Sequence, residues 1–203
     1  MSQTFKKLIS TIIVFIALGM AYFGAYLPLR KGQLIIEAMR SLGSVKTVQD
    51  LENVLSEPLD FYSPVGQDES VRQVSAVISG ILSKQKTMPQ DVAVVLINFV
   101  VGYFDPIISS GHGGNFSQDF LTLGQIYQTA GMNYNSDVYL NKAVEYYKRG
   151  LDYSPNRPQF LYNLLNIYIA QNDLKSAKEI GDIILKNWPQ DEKIQEIVSK
   201  IKL

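Results

Sequence analysis

The chain has 203 residues, with 19 basic and 19 acidic side chains, no cysteine and one histidine. Balanced charge argues against nucleic acid as a partner, because neutralising phosphates needs a basic surplus. Without cysteine there is no disulfide and no thiolate metal site. One histidine excludes a multi-histidine metal cluster, and no cofactor is expected.

Residues 1–7 form a short polar N-terminus ending in Lys6 and Lys7. Residues 8–29 carry no charge over 22 positions. As a helix this run reaches about 33 Å at ~1.5 Å per residue, enough for a hydrocarbon core of ~30 Å. Gly19, Ala21 and Gly24 are ordinary in such helices, and Tyr22 and Tyr26 suit an interface. A cleaved signal peptide would have an apolar core of about 7–15 residues and an Ala-x-Ala-like site; Phe23-Gly24-Ala25 is a poor one. Residues 8–29 are therefore read as an uncleaved transmembrane helix that makes the membrane a partner. Lys6 and Lys7 precede it and Arg30, Lys31 and Arg40 follow it, so positive charge alone does not orient it. A signal-anchor would leave the bulk of the chain extracytoplasmic.

Residues 30–110 read as a divergent helical-hairpin region. Leu34, Ile35, Ala38, Met39 and Leu42 share one helical face, with Gly43 as a stop. Val48, Leu51, Val54 and Leu55 define a second helix closed by Pro58, with Asp50 and Glu52 as solvated acids. Ser63-Pro64-Val65-Gly66 is a turn. Asp68 and Glu69 start a third helix at its dipole-favoured end, with Val71, Val74, Val77, Ile78, Ile81 and Leu82 facing inward. Residues 92–104 are intensely apolar, interrupted by Asn98 and closed by Asp105-Pro106. Thirteen residues are short for a span, so this segment is expected to be a core helix.

The segment Ser109-Ser110-Gly111-His112-Gly113-Gly114-Asn115 precedes the next helix. Glycine-rich backbone at a helix start can hold an anion, and His112 can titrate near neutral pH. A catalytic histidine needs a fixed orienting partner, so the segment is read as a joint, with Asn115 or Ser117 as the cap of that helix.

Residues 111–203 carry an internal repeat. Leu161, Leu164, Leu165 and Tyr168 share one face of a helix. Gln171-Asn172-Asp173 breaks it: Asn tolerates the left-handed stop, and Asp173 caps the next helix. That helix carries Leu174, Ala177, Ile180, Ile184 and Leu185 and ends at Trp188-Pro189. Upstream, Phe120, Leu123-Gly124 and Tyr127 repeat the first pattern, and Ala143, Tyr147, Gly150 and Pro155 the second. Tyr127 and Ala143 are 16 residues apart, but Tyr168 and Ala177 only 9. The seven additional residues are expected in the inner turn, within Met132-Asn133-Tyr134-Asn135-Ser136-Asp137. Asp191, Ile194, Ile197, Val198 and Ile201 predict a closing amphipathic helix.

These residues resemble the tetratricopeptide repeat (TPR), a helical hairpin of about 34 residues with large first-helix residues, a small residue early in the second helix and a closing proline. The fold expected is all-α: an N-terminal transmembrane helix followed by an α-solenoid of TPR-like hairpins, with two repeats and a C-terminal capping helix in 111–203. Leu165 and Ile184 stand where small residues are usual and would push neighbouring helices apart.

The resemblance implies a concave groove lined by first helices. Its expected lining is Gln118, Leu121, Gln125 and Gln128 from one repeat and Gln159, Tyr162, Asn166 and Ile169 from the next. This surface is uncharged and amide-rich, which favours a protein surface or a polyhydroxylated ligand over an acidic peptide. Residues 63–73 and 151–159, with the preceding span, are also similar to the repeat tails of bacterial O-antigen ligase and polymerase-like membrane proteins. That resemblance implies an envelope polysaccharide context and a glycan or lipid-linked sugar as a partner. The membrane helices that would carry glycosyl transfer are not in this sequence, and no catalytic motif is found, so the chain is expected to be a scaffold and not an enzyme. The alternative is a fragment or subunit of such a ligase.

Overall fold

The computed structural model describes residues 3–84, 88–110 and 116–201. Among them are ten α-helices and no strand. The chain forms two compact units, Met1–Val74 and Ser75–Leu203.

In the first unit, α1 (Gln3–Ala21) buries no residue. It runs through a π-helical turn, Tyr22–Tyr26, into α2 (Leu27–Ser41). The wide turn has a local cause. Pro28 has no N–H, and its ring clashes with the carbonyl four residues back, that of Gly24. The backbone relaxes to a longer loop in which the Leu27 N–H donates to the Tyr22 carbonyl. The helical path therefore continues past Leu29 into α2, while the uncharged run ends at Arg30.

The core of this unit is formed by Leu27, Leu34, Ile35 and Ala38 of α2, and by Leu51, Leu55 and Leu59 of α3 (Val48–Asp60). Val71 and Val74 of α4 (Gln67–Lys84) are also buried. Asp50, read as a solvated acid, completes a capping box: the Thr47 side chain accepts from the Asp50 N–H, and the Asp50 carboxylate accepts from the Thr47 N–H. Pro58 lies inside the last turn of α3 and does not terminate it.

Lys31 is legible in the sequence only as a flanking charge, yet it is 2% exposed. Its ammonium donates to the Phe61 carbonyl at 2.8 Å and to Gln67 Oε1 at 2.5 Å, while Gln67 donates to the Leu59 carbonyl. The cation thus closes the C-terminal end of α3, where partial negative charge collects. Burial lowers its pKa, and Asp60 opposes that shift.

In the second unit, α5 (Gln90–Ser109) corrects the expectation for residues 92–104. It is 20 residues long and runs through Pro106. Only one face is buried, through Ala93, Leu96, Ile97, Val100, Phe104 and Ile107, while Val94 and Val95 are exposed. Two helical stretches among the described residues, Gln3–Ser44 and Gln90–Ser109, are long and apolar enough to cross a membrane. His112 and its glycines lie outside the described residues.

The rest of this unit is two helical hairpins and a final helix: α6 (Phe116–Tyr134) with α7 (Asp137–Tyr153), α8 (Pro158–Ala170) with α9 (Leu174–Asn187), and α10 (Glu192–Lys200). Consecutive helices pack in order, and α6 also touches α8. Both inner turns have one geometry. Asn135 and Asn172 adopt φ of 47° and 56°. In each, the N–H of the next residue donates to the carbonyl five residues back, Ser136 to Gly131 and Asp173 to Tyr168, the pattern of a Schellman stop.

The additional residues are therefore not in the turn. Tyr127 precedes the left-handed Asn135 by eight residues, and Tyr168 precedes Asn172 by four. Ala143 follows Asn135 by eight, and Ala177 follows Asn172 by five. The insertion splits into four residues on α6 and three on α7, about one helical turn on each. One turn apiece leaves the facing sides in register. The added segment anchors elsewhere: Asn133 Nδ2 donates to the Leu82 carbonyl in the last turn of α4, and the Tyr134 hydroxyl to the Met88 carbonyl ahead of α5.

Small residues set the helix approach. A Cβ on Gly124 would lie 2.2 Å from the Tyr147 ring, and one on Gly150 would lie 2.2 Å from the Phe160 ring. Ala143 and Ala177 are fully buried. In the second hairpin the sizes are exchanged: Leu165 stands at the position of Gly124, and Gly181 at that of Tyr147. Leu165 and Ile184 are buried at 1% and 0%, so neither is extruded by its bulk. Gly181 leaves room for Val198 of α10, which a Cβ there would meet at 2.5 Å.

Asp191 caps α10 by accepting from the Ile194 N–H. This helix repeats the position of α8: Trp188 and Ser154 share the same pre-proline conformation, and Ile194 is buried like Phe160. Where α8 buries Leu161 and Leu165, α10 has exposed Gln195 and Ser199. Its outer face is polar, as a closing helix requires.

Candidate functional site

The eight side chains expected on the first-helix face divide into two groups. Gln125, Gln159, Asn166 and Ile169 are exposed, the last at 40%. The other four are engaged within the fold. Leu121 is 4% exposed and belongs to the core, not to the lining. Its spacing matches that of Tyr162, but burial here is set by packing between neighbouring helices, which spacing along one helix does not report.

The three polar members of the second group bridge elements. Arg157, at the start of α8, donates to Ser117 Oγ at 3.0 Å and to Gln118 Oε1 at 2.5 Å. Gln128 accepts from the Tyr147 hydroxyl at 2.7 Å, and burial drives the Tyr147 pKa far above its usual value. Tyr162 donates to Asp191 Oδ2. That bond, with burial, pushes the Tyr162 pKa up to about 12; the same bond, with the Ile194 N–H, holds the Asp191 carboxyl below its usual range. Arg157 and Asp191 occupy equivalent positions ahead of successive first helices, and each binds back to the first helix before it.

Tyr162 also contacts Trp188, the chain's single tryptophan, with ring centroids 6.2 Å apart. With Asn187, Pro189, Gln190 and Asp191 they line a cavity of about 490 Å³. Periodicity does not reveal this cavity. Trp188-Pro189 is legible only as a helix stop, although a tryptophan at a repeat boundary is a large ring beside a turn.

A second feature lies outside the 3.6-residue pattern. Phe120, Tyr127 and Tyr134 recur every seven residues on α6, and Tyr139, Tyr146 and Tyr153 every seven on α7. They pair in antiparallel order with centroid separations of 5.6 Å for Phe120–Tyr153, 5.5 Å for Tyr127–Tyr146 and 6.5 Å for Tyr134–Tyr139. The Arg149 guanidinium lies 4.7 Å over the Phe120 ring. Such pairs contribute about 0.5–1.5 kcal/mol each beyond area burial. Their signature is visible in the sequence: the residue numbers of each pair add to the same total, as antiparallel pairing demands. Burial pushes the Tyr127 hydroxyl up to about 12, and that ring acts as packing.

Residues 140–201, from α7 through α10, match the family model of the tetratricopeptide repeat. No curated protein and no solved structure matches the chain. None of the comparisons supports the resemblance to O-antigen ligase tails.

Proposed function

We propose that this chain is a membrane-tethered repeat scaffold that holds a protein partner on the first-helix face of its second unit. The observation that carries the reading is the pair of stacked hairpins, matching the tetratricopeptide repeat over residues 140–201, with Gln125, Gln159, Asn166 and Ile169 left exposed on α6 and α8. These side chains offer amides and a methyl surface without charge. They suit a protein surface better than an acidic peptide, which would call for paired cations.

Tethering is part of the proposal. α1 exposes apolar side chains along its length, including Ile12, Phe15 and Leu18, more than a protein in water leaves uncovered. A span here would tie the repeats to the membrane, with the bulk of the chain outside the cytoplasm. The role is binding, not catalysis. Its setting, on the resemblance of residues 63–73 and 151–159, is envelope polysaccharide assembly.

Photocrosslinkers placed at Gln125 and Asn166, in native membranes, test the face. Partner capture should exceed that from Glu179, exposed on α9; equal capture from all three would remove the proposed surface. Carbonate extraction and protease protection test the tether, since release into the soluble fraction would sink it.

A further inference from the structure

The cavity at the α9–α10 corner has a composition the repeat fold does not require. Its walls include two aromatic rings, Tyr162 and Trp188, and its only charged lining residue is Asp191. Among the described residues no basic side chain lines it. Asn187 and Gln190 complete the polar wall. The C-terminal end of α9 opens at the same place and adds partial negative charge.

Asp191 already has a structural part, capping α10 and accepting from Tyr162. A carboxylate offers about four acceptor positions, so it retains capacity for further donors. Tyrosine and tryptophan faces attract a cation that sits over them, tryptophan most strongly. Lys193 lies close enough to stabilise the Asp191 charge, but it is exposed and outside the lining.

We propose that this pocket takes an arginine side chain of the partner protein, its guanidinium stacked on Trp188 and hydrogen-bonded to Asp191. The inference rests on the scaffold reading and names the chemistry of one contact. Arginine fits better than lysine because its planar fork both stacks on rings and meets a carboxylate with two parallel donors. A cavity of this size lies within the range that holds a small ligand or an inserted side chain.

The single tryptophan makes the site its own reporter. The full chain in neutral detergent is titrated with N-acetyl-arginine methylamide and with the uncharged isostere N-acetyl-citrulline methylamide, reading Trp188 emission. The expected result is a saturable change with arginine, and binding weaker by about tenfold with citrulline, the factor that one charge-assisted contact supplies. In Asp191→Asn the preference should collapse while helicity stays unchanged, because asparagine caps a helix as well as aspartate does and its Nδ2 can donate to the Tyr162 hydroxyl in place of the bond Asp191 Oδ2 accepts. Equal binding of the two compounds, no saturable response to arginine, or a preference that survives in Asp191→Asn would each overturn the proposal. Those failures would leave crosslinking at Gln125 and Asn166 intact, so the two readings fall separately.

Discussion

The two hairpins of the second unit carry the same turn and the same buried alanine but differ in length and filling. α6 and α7 have 19 and 17 residues and zip together through aromatic pairs. α8 and α9 have 13 and 14 and pack mainly aliphatic side chains. The longer hairpin uses its extra turn to bind the ends of α4 and α5 through Asn133 and Tyr134. The shorter one lacks that turn and the two bonds it makes. Each also places its close approach differently, with Gly124 against Tyr147 inside the longer hairpin and Gly181 of the shorter one against Val198 of α10. A repeat position therefore fixes where helices meet, while the neighbour that fills the space beside a glycine changes from the facing helix of the hairpin to the helix that follows it.

The comparison breaks most sharply at Gly124. Gly124→Ala places a methyl into a fully buried Tyr147 ring, and overpacking of this kind costs about 1–3 kcal/mol. The upper end is expected, because the ring is also held by its bond to Gln128. Leu165→Ala in the other hairpin should cost a similar amount, about 2–5 kcal/mol, for the opposite reason: it leaves a cavity. Thermal melts monitored by circular dichroism check both. A neutral Gly124→Ala would mean that the ring moves aside and that size exchange is not constrained.

Asn133→Ala comes next. It leaves the Leu82 carbonyl without this donor, a loss of about 1–2 kcal/mol, and hydrogen exchange should rise in the last turn of α4. Its counterpart in the shorter hairpin is Gln171→Ala. Gln171 bonds Asp137 and Asn141 on an exposed surface, so less than about 0.5 kcal/mol is expected. Equal effects would show that the added turn is not an anchor. Between these two falls Tyr147→Phe. It keeps the ring and removes one hydroxyl bond, so about 1 kcal/mol is expected, measured by denaturant unfolding.

Legibility in the sequence depends on the range of the interaction. The left-handed Asn172 and the caps at Asp173 and Asp191 are legible because each is decided within four residues. The insertion in the first hairpin is not. Four residues added to one helix and three to the next are each close to a full period, so the apolar pattern passes through without a break. The unbroken passage from α1 into α2 is obscured in the same way, since Pro28 suggests an end but is absorbed by a π turn. Lys31 and Leu121 fail for another reason. Their burial is decided by Phe61 and Gln67 for one and by a neighbouring helix for the other, and nothing nearby in sequence marks either. Gln125, Gln159, Asn166 and Ile169 of the expected first-helix face are exposed, because placing a residue on an outward face needs only the periodicity. The half already engaged in bridges depends on what stands across from it.

The mildest test concerns the corner where the shorter hairpin meets α10. Tyr162 is raised to about 12 from an ordinary value of 10, first by its bond to Asp191 and then by burial. A tyrosine whose folded pKa is raised contributes stability fully present below its unfolded pKa and lost as pH climbs through the folded one. The alkaline loss thus falls between pH 10 and about 12. Asp191 is shifted the other way, by the same bond and by the Ile194 N–H, so its contribution is present above 3.8 and fades as pH falls through the lowered value. Tyr162→Phe should abolish the alkaline step and leave part of the acid one, since Ile194 still donates to Asp191. Trp188 emission, read against a ring 6.2 Å away, should show a step near pH 12 in the parent that the variant lacks. In the longer hairpin Tyr127 is raised to a similar value by burial and not by a hydrogen-bonded carboxylate, so Tyr127→Phe should leave both the acid limb and the tryptophan signal unchanged. A parent step centred near pH 10, the ordinary tyrosine value, or one persisting in Tyr162→Phe, would show that Tyr162 and Asp191 are not coupled.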